Sequence, residues 1–186
     1  GVGAMAAILG LDAAVVRDAC AAVAAESGEV VEPANFNDPK QTVIAGSKAG
    51  VDRACEKLKS LGAKRALLLP VSAPFHSSLM KPAADALRER LAGVAIQVPR
   101  IPVVNNIDVA VQTTPEGIRD ALYRQAFGPV RWVEVIQALR ARGLSHIFEC
   151  GPGKVLSGLV KRVDTEIVSM TVLDPATLAL AKEQLA

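Results

Sequence analysis

The order of apolar segments in the first seventy or so residues is the strongest constraint on what this chain can fold into. Residues 4–11, Ala-Met-Ala-Ala-Ile-Leu-Gly-Leu, predict a short buried strand. Asp12 is placed to cap a helix running to about Glu26, with Val15, Val16, Ala19 and Val23 on one stripe and Ser27-Gly28 as its stop. Two extended segments, 30–35 and 41–45, flank the turn sequence Asn37-Asp38-Pro39-Lys40 and predict a hairpin. Ser47 then caps a second helix with Val51, Ala54, Leu58 and Leu61 at helical spacing, ending at Gly62. Residues 66–71, Ala-Leu-Leu-Leu-Pro-Val, predict a buried strand closed by proline. Strand, helix, hairpin, helix, strand is the split β-α-β order of a ferredoxin-like unit, expected over residues 1–72.

From residue 73 to 186 the pattern changes. Helices are expected over 79–91, with Pro82 near the start where proline is tolerated, over 115–127 after the cap-then-proline pair Thr114-Pro115, and over 130–142. A strand is expected over 99–105, whose apolar residues are Ile101, Val103 and Val104. Buried strands at 144–150 and 167–173 alternate with helices at 155–163 and 175–186. That alternation predicts an α/β fold with a mostly parallel sheet covered on both faces.

Charge and composition exclude several functions. Lys and Arg number 21 against 19 Asp and Glu, too even a balance for a protein that coats nucleic acid. Aromatic residues make up 3% of the chain, too few for a base-stacking platform. No apolar run reaches the ~18–20 residues of a membrane span, and the apolar opening lacks the basic start and cleavage site of a signal peptide. Cys20, Cys55 and Cys150 are widely spaced in apolar surroundings. They predict buried thiols in a reducing cytosol rather than a disulfide framework or zinc site.

Two motif-like stretches fail on their mechanics. Gly153-Lys154 imitates the end of a phosphate-binding loop, but Phe148 stands where the first glycine belongs and Val155 where magnesium needs a hydroxyl. What remains is a Gly-Pro-Gly turn feeding a helix N-terminus, at most a weak anion site. Gly143-Leu144-Ser145-His146-Ile147 imitates a nucleophile elbow, but Ile147 is too large for its second glycine position. His146 is expected to cap or satisfy a strand edge.

The sharper signal is Pro70-Val71-Ser72-Ala73-Pro74-Phe75-His76-Ser77-Ser78-Leu79-Met80. A strand exits into a loop stiffened by two prolines, and His76 stands just before a helix. Histidines so placed serve as general bases, and equally as structural groups bonded to nearby backbone.

This stretch closely resembles the malonyl-CoA:acyl-carrier-protein transacylases of bacterial fatty acid synthesis. Four further stretches agree with that family in order and spacing: residues 3–10, Asn35-Phe36-Asn37 with Val43-Ile44-Ala45-Gly46, Val103-Val104-Asn105-Asn106-Ile107-Asp108, and Gly151-Pro152-Gly153-Lys154-Val155-Leu156. The resemblance spans essentially the whole chain. It implies a serine acyltransferase that takes malonyl from coenzyme A as an ester and passes it to the phosphopantetheine thiol of acyl carrier protein. His76 matches the histidine that activates the serine. Gln125 matches the glutamine whose main-chain carbonyl orients that histidine, although on its own it reads as a surface helix residue. Asn35 and Asn37 match a loop beside the acyl pocket, with plain turn formation as the alternative, and Val155 matches a pocket-lining position. Phe75 resembles the residue beside the histidine in methylmalonyl-selective polyketide transferases and in some malonyl enzymes, while the surrounding motifs favour malonyl.

The family's Gly-His-Ser-Leu-Gly elbow, its Gln-Gly-Ser-Gln oxyanion segment and its carboxylate-binding arginine belong upstream of Gly1, and no methionine leads the chain. The expected architecture is therefore a ferredoxin-like small subdomain, 1–72, inserted in an α/β-hydrolase-like domain of which 73–186 form the C-terminal part. These residues alone are expected to be inactive. A non-catalytic module that binds carrier protein is the competing reading. Acyl carrier proteins are acidic, so Lys154, Lys161 and Arg162, about two turns apart on one helix, are candidate docking residues, with an ordinary solvated face as the alternative. No metal, flavin or nucleotide is implied beyond coenzyme A as the leaving carrier. The expected state is a cytoplasmic monomer.

Overall fold

The computed structural model describes residues 3–71 and 73–185. Gly1, Val2, the Ser72 of the loop motif and the final Ala186 lie outside the described residues. The chain divides into two units, Gly1–Trp132 and Val133–Ala186.

In the first unit, β1 (Gly3–Leu9), β2 (Val31–Asp38), β3 (Gln41–Ser47) and β4 (Arg65–Leu68) form one sheet in the order β2-β3-β1-β4. Every neighbouring pair in it is antiparallel. The helices α1 (Ala13–Ser27) and α2 (Lys48–Ser60) supply Val16, Ala19, Cys20, Val23, Val51, Ala54, Cys55 and Leu58 to a core that also takes Ala6, Ile8, Val31 and Ile44 from the sheet. Met5, Ala7, Ala34, Val43 and Ala45 form a second cluster from the alternate strand positions. With both faces buried, β1 needs no polar alternation, which is why it reads as a continuous apolar run.

Local chemistry sets the helix ends. Gly28 closes α1 in the left-handed conformation at φ 72°, its N–H donating to the Ala24 carbonyl. The Ser47 hydroxyl accepts the Gly50 N–H at the start of α2. In the hairpin, the turn is Pro39-Lys40, tightened by the Lys40 N–H donating to Asp38 Oδ1 at 2.8 Å. Asn37 and Asp38, expected in that turn, belong to β2 instead.

Three expectations for this unit need correction. The strand expected to be buried over 66–71 is β4, ending at Leu68, with Leu67 49% and Leu68 56% exposed. It lies at the sheet edge, paired only with β1 among the described residues, so its apolar run does not report burial. Leu61 follows the last turn of α2 and is exposed. Residues 99–105 form no strand, and Ile101 is 79% and Val103 58% exposed. Pro99 and Pro102 have no N–H to give a ladder, and the segment's one bridge among described residues is Val104 with Val111.

A 3-10 turn (Ser78–Met80) leads into α3 (Lys81–Ala92), and α4 (Pro115–Phe127) follows the Thr114 cap, whose hydroxyl accepts the Gly117 N–H at 3.1 Å. In the second unit, α5 (Trp132–Ala141, starting at the boundary), β5 (His146–Cys150), α6 (Val155–Val163), β6 (Val168–Val172) and α7 (Pro175–Glu183) alternate, and β5 and β6 pair in parallel. The parallel sheet expected of residues 73–186 is thus this two-stranded pair among the described residues. Cys150 is exposed at the end of β5, contrary to expectation, while Cys20 and Cys55 are buried. Burial pushes the Cys20 thiol up to about 12 and raises Cys55 too, so neither supplies a reactive thiolate near neutrality.

Candidate active site

The site begins with an absent donor. Helix α4 ends at Phe127, so the Gln125 carbonyl is among the last four, which have no partner within the helix, and only a helix continued past Phe127 would satisfy it with the N–H of residue 129. Residue 129 is proline, which has none. The orphaned carbonyl is met by His76, whose Nδ1 lies 3.0 Å from the Gln125 main-chain oxygen. A carbonyl oxygen only accepts, so Nδ1 carries a proton, and in the neutral ring Nε2 then keeps its lone pair. That tautomer can take a proton from a hydroxyl. The neutral carbonyl also stabilises the resulting imidazolium, though less than a carboxylate would.

His76 holds φ at 62°, a left-handed conformation that non-glycine residues adopt at a cost of about 1–3 kcal/mol. The loop around it is braced at several points. Ser77 is wholly buried, and its hydroxyl donates to the Pro74 carbonyl at 2.7 Å. A Cβ at Gly3 would meet the Pro74 ring at 2.4 Å, so that ring rests directly on the β1 backbone. The Ser78 N–H donates to Glu32 Oε2 at 2.7 Å.

The Gln125 side of the pair is anchored to the same sheet. Gln125 Nε2 donates to the carbonyls of Gly128 and Pro129 at 3.2 and 3.3 Å, tying the end of α4 to the segment after it. The next residue, Val130, joins β2: its N–H donates to Ala34 at 2.8 Å and its carbonyl accepts from Phe36 at 2.9 Å. Behind α4, Arg124 clamps Asp108 through two bonds of 2.6 and 2.8 Å and also bonds Asp120. The Asp108 loop carries Val109 at φ 57°, an outlier for a β-branched residue, held by the Val109 N–H donating to the Asn105 carbonyl. A largely apolar cavity of about 270 Å³ lies on this side, with Val104, Asn105, Ile118, Leu122 and Gln125 in its wall.

Asn35 and Asn37 sit in β2, not in a turn, which removes the turn-former alternative. Asn35 is the residue bridged to Val130, so it stands beside the strand addition that anchors Gln125. Phe75 precedes His76 and is partly exposed. The structure thus brings His76, Gln125, Phe75 and the β2 asparagines into one unit, whereas Lys154, Val155, Lys161 and Arg162 belong to α6 in the other. Val155 is 70% exposed at the first position of α6, and Lys154, Lys161 and Arg162 are exposed as well.

The weak anion site expected after Gly151-Pro152-Gly153 is already filled. The Glu149 carboxylate accepts the Ser157 N–H at 2.7 Å and the Ser157 hydroxyl at 2.9 Å. Those bonds, the Ser157 backbone one first, hold the Glu149 carboxyl below its usual range. His146 opens β5 with Nδ1 2.9 Å from the Ser145 hydroxyl and its ring stacked on Phe148. Sequence reasoning passed over two supports of the site, Glu32 and Arg124. Glu32 carries no signal of its own in the sequence. The orphaned carbonyl of Gln125, by contrast, is foreshadowed by the proline four residues on.

Residues 3–174 match the family model described as an acyl transferase domain. A malonyl CoA-acyl carrier protein transacylase of Escherichia coli (strain K12) is 50% identical over 183 residues, covering 98% of this chain and 59% of that protein. The crystal structure of an acyl-carrier-protein S-malonyltransferase from Burkholderia pseudomallei 1710b is 61% identical with a TM-score of 0.95, covering 98% of this chain and 59% of that one. A malonyl-transacylase solved in complex with its type II PKS acyl-carrier protein is 48% identical with a TM-score of 0.94, over 99% of this chain and 59% of that one. The chain therefore spans about three-fifths of the length of these relatives.

Proposed function

We propose that this chain, which belongs to the acyl transferase domain family, carries the base half of a malonyl-CoA:acyl-carrier-protein transacylase of fatty acid synthesis. The observation that supports this reading most is the His76 Nδ1 to Gln125 carbonyl bond of 3.0 Å, which leaves Nε2 as the free base. In the proposed reaction, His76 Nε2 takes the proton of a serine hydroxyl supplied by the family's elbow segment, and the serine oxygen attacks the malonyl thioester. Coenzyme A leaves as its thiol, taking the proton back from the imidazolium. The phosphopantetheine thiol of acyl carrier protein then gives its proton to His76 and attacks the serine ester, and the serine recovers its hydrogen as the malonyl group departs.

Asn35 and Asn37 are proposed to offer their amides to the acyl group, with Phe75 beside the histidine and malonyl as the favoured acyl group, and Val155 is proposed as a substrate-binding residue of its own unit. Lys154, Lys161 and Arg162 are proposed to receive the acidic carrier protein. In architectural terms, residues 1–72 form a ferredoxin-like small subdomain, its strand order β2-β3-β1-β4 being that of a split β-α-β unit. Residues 73–186 form the C-terminal part of an α/β-hydrolase-like domain. A cytoplasmic monomer needing no cofactor besides its coenzyme A thioester fits this reading.

The decisive experiment is intact mass spectrometry of the protein as encoded, with and without malonyl-CoA. A hydroxylamine-labile gain of one malonyl group, slowed by about a hundredfold or more in His76→Ala, is expected. Equal acylation rates in the two proteins would refute His76 as the base. The 186 residues by themselves should take up no malonyl group.

A further inference from the structure

His76 is held in a left-handed conformation immediately before a helix, and such a conformation persists only when its surroundings fix it. On its N-terminal side Pro74 is packed on Gly3 of β1, and the Ser77 hydroxyl donates to the Pro74 carbonyl across the histidine. On its C-terminal side the restraint comes from far away in sequence. The Ser78 N–H lies 2.7 Å from a carboxylate oxygen of Glu32, a β2 residue 46 positions earlier. A charged acceptor makes this the stronger kind of backbone bond. Two residues further along β2, Ala34 begins the pair of bonds that hold Val130, and through Pro129 and Gly128 the end of α4 with the Gln125 carbonyl. One strand therefore reaches both partners of the His76–Gln125 bond: its Glu32 side chain adds a brace to the histidine loop, and its backbone holds the segment that follows the carbonyl.

We infer that Glu32 is a positioning residue for His76: its carboxylate anchors the Ser78 N–H so that the imidazole meets the Gln125 carbonyl and Nε2 stays free. This rests on the proposed acyl transfer for its kinetic consequence, but not for its structural one. Glu32 touches no reacting group, so its removal acts through orientation, where a displacement of an ångström costs rate rather than binding.

The test compares Glu32→Ala and Glu32→Gln with the parent protein as encoded. Two nuclear magnetic resonance signals are read below the unfolding temperature of every variant: the Ser78 amide proton and the ring nitrogens of His76. The kinetic readout is kcat and KM for malonyl-CoA. In Glu32→Ala the Ser78 amide proton should move upfield, the Nδ1-protonated share of His76 should fall, and kcat should drop by about tenfold at unchanged KM. Glu32→Gln keeps an oxygen acceptor and should restore most of the rate and both signals. Unchanged His76 ring signals in Glu32→Ala would overturn the inference, as would Gln failing to rescue while the protein stays folded. A His76→Ala control separates the two claims. If it retains full activity, the base assignment fails, while the ring signals still decide whether Glu32 positions His76.

Discussion

Replacing Asp108 by Asn tests whether the clamp behind Gln125 stabilises the folded state in the way its geometry implies. Asp108 receives two hydrogen bonds from Arg124, at 2.6 and 2.8 Å, and one from Gln112 at 3.0 Å. The Arg124 and Asp108 side chains are 35% and 25% exposed, so water screens part of the attraction. Exposed pairs contribute about 0–1 kcal/mol and hydrogen bonds to charged groups about 1.5–3 kcal/mol. A bidentate, half-buried pair belongs between these, and Asn keeps one acceptor oxygen, so the loss should be about 1–2 kcal/mol at pH 7. The pH dependence fixes the sign. The Arg124 hydrogen bonds hold the Asp108 carboxyl below its ordinary value of 3.8. A carboxyl depressed in the folded state contributes its full stability above that ordinary value, because the unfolded chain binds the proton first as pH falls. The contribution shrinks below 3.8 and is lost as pH passes through the folded value. Urea unfolding of parent and variant followed by circular dichroism over a pH series should therefore show a gap near neutrality that closes in acid. A gap that persists undiminished in acid, or none at pH 7, would refute the reasoning.

Gly46→Ala should cost about 3 kcal/mol or more in the same assay. A Cβ there would stand 2.0 Å from the Val30 carbonyl oxygen, a backbone atom that also accepts the Ser47 N–H. Val109→Gly should stabilise the protein by about 1 kcal/mol, since it releases a β-branched residue from φ 57°. An unchanged or lower unfolding midpoint would show that its side-chain packing outweighs the strain. Pro129→Ala restores an N–H four residues after Gln125 and lets α4 continue, giving that carbonyl a helical partner in competition with His76. The Nδ1-protonated share of His76 should fall and, on the proposed mechanism, kcat with it by about tenfold.

Helix ends were the most legible part of the sequence because their causes are local. Gly28, Ser47 and the Thr114-Pro115 pair each mark a boundary through atoms within four residues of it. Exposure was less legible, because an apolar run fixes a preference and not a partner. Leu67 and Leu68 read like core residues and lie at a sheet edge, and Ile101 and Val103 read like a strand with no ladder among the described residues. Cys150 shows the same failure at the end of β5. The left-handed backbone of His76 leaves no trace in sequence at all, since histidine neither requires nor forbids it and only the packed loop decides.

The histidine and its carbonyl illustrate how a site is specified by what a sequence withholds. Proline at 129 removes the donor that would have consumed the Gln125 carbonyl, and a buried hydroxyl at Ser77 absorbs the Pro74 carbonyl so that it does not compete for the loop. Neither residue is itself a partner in the His76–Gln125 bond, yet each leaves one fewer alternative for the groups around it. The strand that carries Glu32 and Asn35 then has to hold its place along two edges, against β3 on one side and Val130 on the other. It does so with register shifts at Pro33/Asn35 and Phe36/Asp38. Such irregularities redirect side chains without ending the ladder, which suits a strand whose backbone fixes one partner and whose side chain fixes the other. A regular strand would keep its pairing with β3 and lose the freedom to aim both.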